Sequence, residues 1–483
     1  MSATGDGASS RRPSAKTDYT RPDFRWVKND YPQNEIESMK KITHPDTRDR
    51  HDLRERRKKI QRSLKMHRRA RDEEGEAKDW FRLGTIEVKR ERYEKARENY
   101  QKSLKIFRHI GDEMGQINAK AALAGIDVEQ GNYDRARESF REVLEGYEKM
   151  GSHKDVAGIL CGLALIDVHQ EKYDSALDTF QRELEIHQKI GDKAGEISTL
   201  RNLASIDIYI SDQDTAYMNF QRALKLMQEV GDRFREAETS QKLAEIDIEQ
   251  GRYESAVKLL QKALDFWLEL GDEVKEAKTL DQMGLIWLNR MEWQSAREAF
   301  QRSLEIWQSI DDNYGEATAW HNLALIDFGQ KEFEDALEKH LKALDLERLI
   351  GDEKGMATTW HNMASIDLDR GEYRAGAEKL LKSLAINQRL GEKASEAMNL
   401  TQLGLVAAKI GRAEEGLQLA ALGVSILESV RNPTASQIRP AVDALTSKLG
   451  YTQEQLDSMI KEVREAYQQD GGRSLIDAAF GED

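Results

Sequence analysis

The chain has 483 residues, only six prolines, 33 % charged residues and a formal net charge of −14, a composition that points to an all-helical, water-facing protein. Its single cysteine, Cys161, excludes an internal disulfide framework and leaves no Cys/His cluster for zinc, and it fits a reducing, cytoplasmic setting. No apolar run approaches the ~20 residues that span a bilayer, and the opening MSATGDGASSRRPSAK lacks the apolar core of a secretory signal, so no membrane contact is expected.

Charge is unevenly spread. Residues 1–70 hold 19 Lys/Arg against 10 Asp/Glu and so carry +9, which leaves −23 on the rest. Residues 1–45 form a basic arm, and its start, rich in Arg, Ser, Asp and Pro, is expected to be largely disordered in isolation because it can bury little apolar surface. Residues 46–70 read as one degenerate helix capping the amino end of the acidic body. Its run RERRKKIQRSLKMHRRAR concentrates charge at Arg56, Arg57, Lys58, Lys59, Arg62, Lys65, Arg68 and Arg69, with Leu53, Ile60, Leu64 and Met66 as a weak apolar edge. The run has no interleaved aromatics and adjoins that acidic body. Nucleic acid is therefore disfavoured against an electrostatic contact with a protein, including the acidic face of another copy.

From Arg71 to Val430 the sequence aligns in nine rows of 40 residues without an insertion. One column runs Leu83, Leu123, Leu163, Leu203, Leu243, Met283, Leu323, Met363, Leu403, each followed by Gly or Ala, and a second small column runs from Ala96 through Ala336 to Gly376 and Gly416. Small residues recur where two helices must approach closely. Within a row, apolar residues at helical spacing form two segments split by a short polar break such as Gln130-Gly131-Asn132. Gly-Asp pairs such as Gly111-Asp112 and Gly191-Asp192 supply a left-handed closing residue for one helix and a cap for the next. Beyond Val430 the columns lapse at Asn432-Pro433, and residues 431–483 are expected to form two capping helices, at about 436 to 448 and 453 to 468, and a short tail helix after a glycine hinge.

These columns, carried by Leu83-Gly84, Tyr93, Ala96, Tyr100 and Leu104 and echoed in Leu123-Ala124, Tyr133, Ala136, Phe140 and Leu144, resemble the tetratricopeptide repeat (TPR) in a form longer than the usual ~34 residues. The resemblance covers residues 71–430. It implies a right-handed α-solenoid of nine helical hairpins with helical caps at both ends, held by nearest-neighbour packing, and it leaves function open because such folds bind many unrelated partners.

The triplet Trp-His-Asn at 320–322 and 360–362 invites a catalytic or metal reading. His321 and Asp327 lie about 240° apart round a helix and cannot share a face, and no carboxylate or cysteine completes a ligand set, so no metal, cofactor or catalytic residue is assigned. In the fold resembled, Trp320, Leu323, Ala324 and Asp327 pack between helices, whereas His321, Asn322, His361 and Asn362 line the concave groove. Asp127, Asp167, Asp207, Asp247, Asp327 and Asp367 then fall on the buried stripe, where a carboxylate must be hydrogen-bonded, by backbone amides opening the second helix or by a side chain of the adjacent row.

Along the presumed groove, Asn202, Lys242, Gln282, Asn322, Asn362 and Gln402 form nearly a ladder of amides able to bond an extended peptide backbone; ordinary solvated polar residues are the alternative. At the other end, Gly125, Gly158 and Gly162 leave room for a deeper ligand, or serve close helix packing. The expected function is a non-enzymatic adaptor or scaffold that binds a protein segment in the groove, the alternatives being a subunit that controls a partner enzyme and a peptide-sensing transcription regulator. No Gly-rich phosphate loop, nucleophile elbow or metal motif argues for catalysis.

Overall fold

The computed structural model describes residues 47–481; the basic arm of residues 1–45 lies outside them. Every regular element among the described residues is a helix. Thr47–Ala70 comes first, and each row then contributes a helix A and a helix B, beginning with Glu73–Lys89 and Tyr93–Ile110 and ending with Lys393–Lys409 and Ala413–Ser429. The boundaries have the local causes expected. Asp72, Asp112, Asp192, Asp272, Asp312 and Asp352 cap helix A by accepting a backbone N–H of its first turn. Gly111 and Gly191 close helix B at φ 72° and 70°, where a Cβ would be strained.

The small column seats the rings of helix B. A Cβ on Gly84 would lie 2.6 Å from Tyr100, and one on Gly284 would lie 2.5 Å from Phe300. In the last row both helices carry glycine, and a Cβ on Gly404 would strike the carbonyl of Gly416 at 2.4 Å.

Contacts divide the chain into two compact units, one ending at Ile246 and the other starting at Asp247. In the first, Thr47–Ala70 docks on Glu73–Lys89 through Leu64, and the core passes from row to row as Phe81, Tyr100 and Ile126, then Phe140, Tyr147 and Ile159, then Phe180, Leu184 and Leu200. In the second, Phe300, Trp307 and Leu323 give way to Leu380, Leu384, Leu400 and Leu403. Within each unit the rows thus bury their apolar stripes against one another, as a repeat architecture requires.

After Val430 the helices keep a spacing that the sequence columns lose. Thr434–Leu449 and Gln453–Asp470 fall where a further row's pair would fall, and Gly471 closes the second at φ 70°. The period read as ending at Val430 is therefore lost in residue identity but kept in helix length. Both helices lie against Ala413–Ser429, with Val442, Leu445 and Leu456 meeting Leu417, Ala420 and Ala421. The tail helix Arg473–Phe480 follows Gly471-Gly472, both with positive φ, and lays Leu475, Ile476 and Phe480 on the last apolar cluster.

Candidate functional site

The buried carboxylates of helix A find side-chain partners, and two spacings recur among them, beside Arg135 and Ser175 eight residues after Asp127 and Asp167. A cation 30 residues earlier, on helix B of the preceding row, reaches Asp127 (Arg97, 2.6 Å), Asp167 (Arg137, 2.6 Å) and Asp327 (Arg297, 2.8 Å). A donor 12 residues later, on helix B of the same row, reaches Asp207 (Asn219, 2.8 Å), Asp327 (Lys339) and Asp367 (Lys379). Asp247 instead takes Arg252 at 2.6 Å. Of the two donor types expected, the side chain prevails, from the adjacent row as expected for Asp127, Asp167 and Asp327 but from the same row for Asp207, Asp247 and Asp367. Arg57 and Glu87, 2.6 Å apart, repeat the 30-residue clasp, so Thr47–Ala70 acts as the helix B of a half-row.

Asp207 differs because Leu177 stands where an arginine would be and its partner is a neutral amide. Burial raises its pKa from 3.8 to about 6, against the lowering effect of the Asn219 bond, and Asp212 adds to the rise. A raised carboxylate pKa means that the folded chain holds the proton more tightly than the unfolded one. The ionised side chain therefore withdraws stability as pH rises through about 6. Asp207→Asn is expected to gain about 1 kcal/mol at pH 8 and little at pH 4, whereas Asp207→Ala should cost about 1–3 kcal/mol at pH 5, where the acid is satisfied. Thermal melts across pH check both signs.

The polar face of helix A is partly consumed by pairing across rows. In the second unit Asn362 Nδ2 lies 2.9 Å from His321 Nε2, His361 Nδ1 lies 2.7 Å from Asn399 Oδ1, and Asn399 donates to Ser383 at 2.9 Å. Asn322 is only 6 % exposed, so it is no rung beside Asn362, and the ladder is interrupted there. Gln282 and Gln402 are half-buried on the same face, and Gln402 Oε1 is buried without a hydrogen-bond partner. In the first unit Asn202 is half-buried and Lys242 lies 3.3 Å from Glu245.

His340, Asn399 and Ser383 were not singled out from sequence. His340 carried a readable signal: it occupies the column of Tyr100, Phe140, Phe180, Phe220 and Phe300. It is fully enclosed, its ring meets His321 edge-on at 5.0 Å, and its Nδ1 has no hydrogen-bond partner. Burial, with His321 beside it, lowers its pKa from 6.5 to about 3, and burial also lowers that of His321.

Trp320 and Trp360, placed in the core from sequence, are half-buried. The Trp320 indole donates to Glu316 at 3.1 Å, and Lys342 and Lys382 lie over the two rings at 4.6 and 4.3 Å. Lysine stems replace core packing on that side.

The small-residue stretch divides. A Cβ on Gly162 would meet the Phe140 ring at 3.0 Å, so close packing explains it, while one on Gly125 would meet nothing within 4 Å. Gly158 and Cys161 are half-buried, and burial together with Glu183 raises the Cys161 thiol well above its usual pKa. In the basic helix, Arg57 and Arg68 turn inward to Glu87 and Glu76, and Lys58 pairs with Glu55, whereas Arg56, Lys59, Arg62, Lys65 and Arg69 are exposed. Met66, counted on the apolar edge, is 68 % exposed. Among the described residues no group of three or more His, Cys, Asp or Glu is placed to hold a metal ion, and no helix is long and apolar enough to cross a membrane.

Solved structures that share this fold include two with TM-scores of 0.50 or above. The apo form of RapI is 16 % identical, with 73 % of this chain and 99 % of that one covered and a TM-score of 0.53. A signal transduction ATPase with numerous domains from Pyrococcus horikoshii, which carries a tetratricopeptide repeat sensor, is 20 % identical, with a TM-score of 0.50. That match covers 59 % of this chain and 44 % of the ATPase, so the chain spans less than half of its length. At such identities the likeness is one of fold. No curated protein matches the chain. The family model for the MalT-like TPR region, however, matches residues 82–350, more than half of the sequence, and the protein belongs to that family.

Proposed function

We propose that the chain is a non-enzymatic, cytoplasmic interaction module that binds a segment of a partner protein along the helix A face of its second unit. The observation that supports this reading most is the pair of row-to-row contacts, His321 with Asn362 and His361 with Asn399, on a face that Gln402 shares in the next row. Side chains held in place by one another lose little freedom on binding, so their remaining donors and acceptors are preorganised for a backbone. A sensor or enzyme-controlling role uses the same face, and the tetratricopeptide repeat sensor of the Pyrococcus ATPase is the analogy for it.

A photo-crosslinking residue at Thr318 or Thr358, both exposed one turn before the two histidines, is expected to capture a polypeptide from native cells, and one at Glu378 on the outside of helix B is not. Asn362→Ala with Gln402→Ala should then weaken the captured partner about ten-fold, at ~0.5–1.5 kcal/mol per lost bond. Capture at Glu378 alone, or of nucleic acid, would discard the proposed face.

A further inference from the structure

We propose that the outer stripe of helix Thr47–Ala70 docks on a second copy of this chain, against the acidic edge formed by the starts of that copy's helices B in its first unit.

The helix has two faces of different fate. One is spent on its own body: Arg57 on Glu87 at 2.6 Å, His67 on Asp79 at 2.9 Å, Arg68 on Glu76 at 2.8 Å, with Leu64 buried. On the other, Arg54, Lys58, Arg62, Lys65 and Arg69 fall within about 80° of arc and form an exposed stripe ~22 Å long. Among the described residues no carboxylate pairs with Arg54, Arg62, Lys65 or Arg69, and Lys58 has only Glu55 of its own helix.

The complementary surface lies in the same unit. Arg54 and Lys58 occupy columns that hold Glu94 and Glu98, Asp134 and Glu138, and Asp174 and Asp178 in the next three rows, all exposed. Acidic residues suit helix starts, and in the half-row the sign is reversed. Cations on that edge do not neutralise the carboxylates, because buried ones draw them inward: Arg90 lies 3.7 Å from Glu87, Arg135 3.3 Å from Asp127 and Arg137 2.6 Å from Asp167.

Among the described residues no ion pair within the chain joins the stripe to the edge, so they are left to meet between copies. A nucleic acid or anionic membrane approaching the stripe would also face the acidic edge and be repelled. A second copy presents both signs, and a two-fold arrangement satisfies both stripes at once.

The test is sedimentation velocity of the full chain at about 0.05 M and about 1 M salt, where screening runs from weak to nearly complete. The parent is expected to dimerise at low salt and dissociate at high salt. Arg54→Glu, Arg62→Glu, Lys65→Glu and Arg69→Glu together should abolish the dimer with a nearly unchanged melting temperature, since all four are exposed and none pairs with a carboxylate among the described residues. Glu98→Lys, Glu138→Lys and Asp178→Lys together should do the same, and an equal mixture of the two variants should restore a dimer, because each then offers the charge that the other lacks. A parent monomeric at low salt up to about 100 µM, a dimer unmoved by either reversal, failure of the mixture, or a short DNA duplex bound by the parent through the stripe would each overturn the proposal.

Discussion

Replacing His340 by Phe is expected to raise the stability of the second unit and to flatten its dependence on pH below neutrality. The site already has the shape of a ring, since five other rows place Tyr or Phe in this column against a small residue, here Ala324. The imidazole brings a buried Nδ1 with no hydrogen-bond partner, a penalty of about 1–3 kcal/mol that phenylalanine does not carry. Protonation adds a second penalty whose sign is fixed by linkage. The folded pKa is about 3 against 6.5 for the free side chain. Above 6.5 neither state is protonated and nothing is lost. As pH falls through 6.5 the unfolded chain takes up a proton that the folded one refuses, so stability declines until about pH 3. At ~1.4 kcal/mol per unit the full shift would approach 5 kcal/mol, and with relaxation about 2–4 kcal/mol is expected. Chemical denaturation at pH 7.5 and 4.5 separates the two effects: the Phe variant should gain at both and gain more at pH 4.5. Equal gains would show that the imidazole is not held neutral.

The clasp on Asp327 should show a strong asymmetry between its partners. The carboxylate is wholly enclosed, whereas the Arg297 and Lys339 side chains remain 24 % and 21 % exposed. Arg297→Met with Lys339→Met leaves a buried charge without a counterion, which should cost about 3–5 kcal/mol, and adding Asp327→Asn should return most of it. Asp327→Ala should cost less than the double cation change, because the freed cations can swing to water. Equilibrium unfolding of the four proteins measures the difference. If Asp327→Ala proves the most damaging, the carboxylate is valued for its shape or an unseen bond and not for its charge.

Much of the fold was legible because a 40-residue period tests itself in every row, and because Gly and Asp mark most junctions between one row and the next. The need of the aspartates for partners was also legible, since burial cost depends only on chemistry. Which partner they take was not. A spacing of 30 residues means nothing along one helix and arises only when successive rows are stacked. The same limit hid the pairing of His321 with Asn362, which a helical wheel for either row cannot contain, and it made Asn322 look like a rung when stacking encloses it. His340 was a different kind of miss. Its departure from an aromatic column is visible in the sequence, but a single histidine in that column does not by itself show that the ring is enclosed without a hydrogen-bond partner.

Since Arg97, Arg137 and Arg297 each stand 30 residues before their acids and each row is 40 residues long, the chain should tolerate shortening best by whole lines of its text. Excising residues 111–150 brings Arg97 into the place of Arg137 before Asp167, and the splice reads correctly. The same cut at residues 151–190 sets Arg137 before Asp207, supplying a cation that this row lacks, so the shortened protein is better matched at the seam than its parent. A cut that is not a multiple of 40 residues puts the acid opposite the wrong residue. Growth and loss of this molecule are thereby quantised, and some deletions are improvements.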